Sequence, residues 1–319
     1  MTVLLLDGGL ATELERKGID LSIGKLWSAR ILDECPELVY QVHLSYLEAG
    51  ANIITSCSYQ ATFDGFLEGG YSFTQAKELM VRSIQLCKQA RLTFCNSGQV
   101  ATKCYIAASC GPFGAYLADG SEYRGCYGVS KERLESFHSS RLDVLVAEEP
   151  DFIAFETIPD MEEVQTIVQL MNTRYSSIPY WISIQCRNET EMACGTPVET
   201  IMPCLREAKN CFAFGVNCVL PQYLSSLTSI IRDQIRRLSL STFIVAYPNS
   251  GQVYDTVRKE WSPENNISIE NWVDYVVGCG ADIIGGCCRT TPYHIQCLKN
   301  RMSCSPKDER KRRRKNAKI

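Results

Sequence analysis

Eight short runs of apolar, β-branched and aromatic residues recur along the chain, at 3–6, 52–56, 104–109, 152–155, 180–185, 212–216, 242–246 and 282–284. Several are apolar almost without interruption, the pattern of strands covered on both faces. Helical periodicity fills the segments between them. Residues 36–49 align Leu38, Val39, Val42, Leu44, Tyr46 and Leu47 for one face, and Gly50 closes the segment. Segments 74–94, 131–147 (with Ser130 as candidate N-cap), 161–175, 198–209, 221–238 and 269–278 continue the alternation. Strand–helix units in such succession predict an α/β fold, a single (β/α)8 TIM barrel over residues 1–302, rather than an open sheet with a second domain. No Ser/Gly/Pro linker divides it. The longest irregular stretch is 111–129, rich in Gly and Tyr, and loops of that length are usually functional or mobile.

Composition and charge change this picture little. The chain has 319 residues, 45% hydrophobic and 22% charged, enough for a large core. A net charge of −3 gives no general reason to expect an anionic membrane or nucleic acid as partner. No apolar run spans a bilayer. The apolar start ends at Asp7-Gly8-Gly9 with no basic stretch before it, so no signal peptide is expected. Seventeen cysteines in so long a chain, without a secretory signal, point to reduced thiols and a cytoplasmic setting rather than a disulfide framework. Residues 303–319 are strongly basic and read as a disordered tail.

Candidate chemistry falls where the predicted strands end, at the C-terminal face of the barrel. The first strand ends in Asp7-Gly8-Gly9, and the second in Thr55 to Tyr59. Glu156-Thr157 follows the fourth, Asn217-Cys218 the sixth, and Gly285-Gly286-Cys287-Cys288 the eighth. Adjacent cysteines do not form an ordinary disulfide without strain. The two glycines before them permit an irregular turn in which both sulfurs converge. Cys218, two strands away around the barrel, supplies a third. Three thiolates with one open position make the donor set of a catalytic zinc site. None of His43, His138 and His294 stands in a metal-ligand spacing. Spacing alone leaves this reading level with three buried, reduced thiols.

The surrounding segments carry more. DGGLATELERKGIDL (7–21), LWSARIL (26–32), SYQATFDGF (58–66), GPFGAYLADGSEYRG (111–125), FETIPD (155–160), GVNC (215–218), YPNSG (247–251) and IGGCCRTTP (284–292) follow one another across nearly the whole barrel. Together they resemble the homocysteine S-methyltransferases of the S-methylmethionine-using type. The resemblance stops around Met302. It implies one zinc ion per chain, held by Cys218, Cys287 and Cys288, with the homocysteine sulfur in the fourth position. It further implies Asp7 and Glu156 as the acidic residues that hold the homocysteine amino group. Thr55, Tyr59 and Trp27 match positions lining the substrate site, and Asn217 neighbours the first zinc ligand. No catalytic side chain beyond the zinc site is implied.

That chemistry suits these residue types. A free thiol has a pKa near ~8.5, so coordination is needed to keep homocysteine a thiolate at neutral pH. A sulfonium donor and a thiolate become two neutral thioethers, which a dry site favours. Aromatic rings such as Trp27 or Tyr59 can hold the sulfonium by cation–π contact. S-methylmethionine is the expected donor, with S-adenosylmethionine also a sulfonium, and a betaine-using enzyme is the alternative within the same architecture. A different class, a thiol-rich metal-storage or nucleic-acid-binding protein using the basic tail as a nuclear address or phosphate-binding arm, is the remaining alternative.

Overall fold

The computed structural model describes residues 3–21, 26, 28–98, 103–252, 254–255, 260–262 and 267–303. Its strands are β1 (Leu4–Leu5), β2 (Ile53–Thr55), β3 (Tyr105–Cys110), β4 (Phe152–Ile158), β5 (Tyr180–Ile184), β6 (Cys211–Asn217), β7 (Phe243–Tyr247), β8 (Tyr254–Asp255), β9 (Glu260–Trp261) and β10 (Ile283–Ile284). Eight of them form one parallel sheet in the order β1-β10-β7-β6-β5-β4-β3-β2. A parallel bridge between Leu6 and Ile53, with Asn52 N donating to Leu5 O at 2.7 Å and Asp7 N to Ile53 O at 3.0 Å, brings β1 against β2 and closes the ring. The fold is the (β/α)8 barrel predicted, with every predicted strand present. The antiparallel pair β8–β9 lies outside it and has no counterpart in the sequence pattern.

The barrel interior is a packed core of its own. Leu6, Ile53, Ala107, Ala154, Trp181, Ala213, Val245 and Ile283 fill it, and three alanines leave the width that one Trp181 occupies. Below them Tyr105, Phe152 and Phe212 stack, with ring centroids 5.4 and 4.7 Å apart. The other face of each strand packs on the helices, through residues such as Ile54, Ile106, Phe155, Ile182 and Phe214. Strands covered on both faces are why the sequence reads as continuous apolar runs.

Local signals set the helix ends. Ser130 accepts from Arg133 N at 3.3 Å and caps Lys131–Ala147, and Gly50 (φ 109) terminates Pro36–Ala49 in the left-handed conformation. Ser72 and Gln75 form a capping box at the start of Phe73–Asn96. One predicted helix is absent. Residues 198–209 form two 3-10 turns, Val198–Thr200 and Met202–Glu207, because Pro197 and Pro203 remove two main-chain donors from so short a connection. Residues 221–238 begin as a 3-10 turn, Pro221–Tyr223, before the helix Leu224–Leu238. The eighth helix, which the periodicity does not show, is Pro292–Ser303. It includes Ser303, the first residue of the predicted tail; residues 304–319 lie outside the described residues.

The approach of β6 to β7 depends on a missing side chain. A Cβ placed on Gly215 would lie 1.7 Å from Val245 O, a backbone atom that cannot yield without moving the strand. Overpacking of this kind costs about 3 kcal/mol when a backbone must shift. Gly215→Ala is expected to lower the free energy of unfolding by that amount, seen as a lower urea midpoint at unchanged slope, and a wild-type midpoint would refute the stated constraint.

Candidate active site

Cys218, Cys287 and Cys288 bring their sulfurs within 4.8 Å of one another, although 70 residues separate the first from the last. Cys218 Sγ lies 3.6 Å from Cys288 Sγ, and Cys287 Sγ 4.0 Å from Cys288 Sγ. A tetrahedral metal with sulfur bonds of ~2.3 Å spaces its ligands ~3.8 Å apart, whereas a disulfide requires ~2.05 Å. The geometry therefore fits three ligands of one metal and not a crosslink, and no disulfide joins the described cysteines.

Backbone conformation places these sulfurs. Cys218 follows β6 with φ 54, a left-handed turn that takes it out of the strand pleat. The glycines before Cys287 act differently from the sequence expectation. Neither Gly285 nor Gly286 has a positive φ; the left-handed residue of this turn is Arg289, with φ 64. Instead a Cβ on Gly286 would meet Thr290 Oγ1 at 2.2 Å, and one on Gly285 would meet Leu6 Cβ at 2.5 Å. The glycines permit close packing of the turn against β1, where Gly286 N donates to Asp7 O at 3.0 Å. Cys287 N donates to Pro248 O at 2.8 Å, fixing the same turn to the end of β7.

The thiols open on a cavity of about 130 Å³ that also takes in Asp7, Thr55, Tyr59 and Glu156. By the ~10–15 Å³ that one water requires, it admits a ligand of several heavy atoms. Asp7 accepts from Thr55 N at 2.7 Å and from the Thr55 hydroxyl at 3.1 Å. Glu156 accepts from the Ser109 and Tyr247 hydroxyls. Burial raises the Asp7 carboxyl well above its ordinary range, and burial raises Glu156 to about 7. Among the thiols Cys218 ionises first, because Cys287 and Cys288 donate to its thiolate; the same coupling pushes the other two upward. Among the described residues no Lys, Arg or His lines this cavity.

Asn217 is placed behind the wall. It is fully buried, accepts from Thr157 N at 2.7 Å, donates to Thr157 Oγ1 at 2.8 Å, and stands 3.8 Å from Cys287 Sγ. It ties the end of β4 to the thiol cluster. Trp27 lies outside the described residues. Glu122, Tyr123 and Ser109 also line the cavity and are not singled out by sequence reasoning; Tyr247, which opens the YPNSG segment after the seventh strand, lines it too. The signal for the first two was present, since both stand within GAYLADGSEYRG. A larger groove of about 470 Å³, lined by Arg16, Arg289 and His294 among others, lies beyond Thr12, and none of the three thiols lines it.

The segment 111–129 is ordered, not an open loop. It contains the helix Phe113–Leu117 and the 3-10 turn Ser121–Tyr123, which brings Tyr123 Oη to 3.7 Å from Cys218 Sγ. Phe113 anchors it in a small apolar cluster with Leu134 and Phe137. Beneath, Arg141 donates to Gly111 O and to His138 Nδ1, so His138 carries its proton on Nε2 and donates to Glu163 at 2.8 Å. Burial, then the Arg141 charge, lowers His138 to about 4 and keeps it neutral. Glu163 also accepts from Phe113 N at 2.7 Å and Tyr127 Oη at 2.8 Å.

The chain belongs to the homocysteine S-methyltransferase family, whose model matches residues 4–302. It is an enzyme of that family. It is 41% identical to homocysteine S-methyltransferase 3 of Arabidopsis thaliana, over 95% of this chain and 90% of that one. It is 40% identical to selenocysteine Se-methyltransferase of Brassica oleracea var. italica, over 93% of this chain and 88% of that one. The metallated form of the homocysteine methyltransferase MmuM from Escherichia coli superposes with a TM-score of 0.83 and 36% identity, covering 94% and 96% of the two chains.

Two outcomes follow from this geometry. Glu163→Ala strips a buried relay of its acceptor, a change worth about 3 kcal/mol. Amide exchange over 113–127 should accelerate more than in Pro36–Ala49; equal protection would show that the relay does not hold the segment. Metal-free protein should lose stability as pH rises. Glu156 has a folded pKa raised above its unfolded value, so between about 4.5 and 7 the folded state binds more protons. The penalty is absent below that window and complete above it, roughly 3 kcal/mol for this group. Glu156→Gln should flatten the decline in thermal midpoint, and an unaltered slope would count against the assignment.

Proposed function

We propose that the chain transfers a methyl group from a sulfonium, S-methylmethionine foremost, to the thiol of homocysteine, with one zinc ion held by Cys218, Cys287 and Cys288. One observation carries this reading. Three thiols share a cavity with carboxyl groups and with no cationic side chain among the described residues. Such a site is completed by positive ligands: a metal ion, an ammonium group and a sulfonium each qualify. When bound, zinc supplies the Lewis-acid charge that keeps an acceptor thiol ionised at neutral pH.

The roles of the side chains follow from where they stand. Among the described residues no fourth protein ligand joins the cluster, so one position is left for the acceptor sulfur. Asp7 and Glu156 accept the ammonium group of the amino acid, which restores the ionised form of both carboxyl groups. Thr55 orients Asp7, Ser109 and Tyr247 orient Glu156, and Asn217 keeps Cys287 and the end of β4 in register. Methyl transfer breaks the donor C–S bond, leaves that electron pair on the donor sulfur and forms a C–S bond to homocysteine. S-methylmethionine and homocysteine thus yield two molecules of methionine. Both charges diminish in the transition state, and the ordered segment 111–129, which brings Glu122 and Tyr123 to the cavity, favours this by helping to exclude water. The reaction is placed in the cytoplasm, where the thiols stay reduced; among the described residues no helix is long and apolar enough to cross a membrane.

The test measures methionine formation with S-methylmethionine, S-adenosylmethionine and betaine offered in turn, and with selenocysteine as a second acceptor. S-methylmethionine with homocysteine is expected to be fastest. Cys287→Ala should lose its zinc and about a thousandfold or more in rate. Full activity in metal-free protein would overturn the mechanism, and faster turnover with betaine would overturn the donor.

A further inference from the structure

The carboxyl groups of the cavity differ in what they hold. Asp7 is engaged by Thr55, and Glu156 by Ser109 and Tyr247. Glu122 is held on one side by its own main-chain N–H, but its Oε2 is buried and accepts no hydrogen bond among the described residues. Among the described residues no ion pair reaches Glu122; Arg124, two positions on, pairs with Asp119 at 3.6 Å and is largely exposed. Burial raises Glu122 to about 7, with the charge of Cys218 adding to the rise. Tyr59 and Tyr123 each feel the charges of both Glu122 and Cys218. The four residues form one corner, on the side of the first zinc ligand.

A carboxylate oxygen withheld from water and left unpaired is unfavourable, so a ligand that compensates it is favoured there. Homocysteine does not need it under the reading above, because its sulfur goes to the metal and its ammonium group to Asp7 and Glu156. The second substrate carries a positive charge on sulfur that neither donates nor accepts a hydrogen bond. A bare carboxylate can recognise such a centre; a hydroxyl or amide can do so only weakly.

We propose that Glu122 is the counter-charge for the cationic methyl donor, a specificity-determining residue that admits the sulfonium and disfavours the neutral thioether formed from it. The assignment rests on the methyl-transfer reading and deepens it. Its kinetic consequence is specific. The donor's positive charge diminishes as the methyl group leaves, so Glu122 stabilises the bound donor more than the transition state. Removing its charge therefore weakens donor binding without slowing the chemical step, and the product loses the attraction that held its precursor.

Zinc-loaded wild type and Glu122→Gln are titrated calorimetrically with S-methylmethionine and with methionine, its neutral counterpart. Wild type should prefer the cation by about tenfold or more, and the variant should lose most of that preference. In steady-state assays KM for S-methylmethionine rises, while kcat does not fall and KM for homocysteine and zinc content are unchanged. Glu122→Asp, which keeps the charge, should recover part of the preference. Because Oε2 has no partner to lose among the described residues, metal-free Glu122→Gln should be at least as stable as wild type. An unchanged cation preference in Glu122→Gln, a rise in homocysteine KM instead, or loss of zinc would overturn the proposal. If the wild-type chain turns over no sulfonium, the parent reading fails and this one with it. Normal wild-type turnover with an unaltered preference in the variant removes this one alone.

Discussion

Three thiols, Asp7, Glu156 and Glu122 face one small cavity with no cationic side chain among the described residues to neutralise them. Left alone, such a cluster resolves itself by protonation: the carboxyl groups move up toward neutrality and only one thiol, Cys218, ionises readily. The protein holds this arrangement instead of relaxing it, and the rest of the structure can be understood as the means of doing so. A site short of positive charge binds cations, and the same shortage serves a metal, an ammonium group and a sulfonium.

Holding like groups together requires rigid supports, and the barrel provides them at two levels. Strand ends are locked by interior packing around Trp181 and by the close approach that Gly215 allows between β6 and β7. Side chains at those ends are then pinned by buried hydrogen bonds, Thr55 to Asp7, Ser109 to Glu156, Asn217 to Thr157. Over the mouth, the segment from Gly111 to Tyr127 is fastened by Arg141, His138 and Glu163, outside the cavity but directly connected to its lid. Left-handed φ values at Thr157 and Cys218, unusual for residues with a Cβ, stand at the ends of β4 and β6, two strands apart in the sheet, and show where chain geometry yields to the site.

Much of the candidate site was legible before the structure. Asp7, Thr55, Tyr59, Glu156 and the three cysteines all stand at or just past the ends of apolar runs, and in a barrel that position alone assigns them to one face. Glu122 and Tyr123 escaped, because they lie in the middle of a long segment with no strand end to mark them. The 3-10 turn that presents them depends on contacts made elsewhere in the chain. Residues 198–209 misled for a related reason: the apolar spacing fits a helix, but two prolines decide the local hydrogen bonding.

What the sequence determined by itself was periodic or local: strand–helix alternation, the caps at Ser130 and Gly50, and the family to which the motifs belong. These depend on side-chain spacing and on torsions of a few neighbouring residues. The tertiary structure decided what depends on distances between remote segments. It brought Cys218 to 3.6 Å from Cys288 and moved Asn217 behind the wall. It made the glycines before Cys287 a matter of clearance rather than of turn torsion, and it left Glu122 Oε2 unpaired among the described residues. Such features appear only once the ring of strands closes, because each compares atoms that the sequence places tens to hundreds of residues apart.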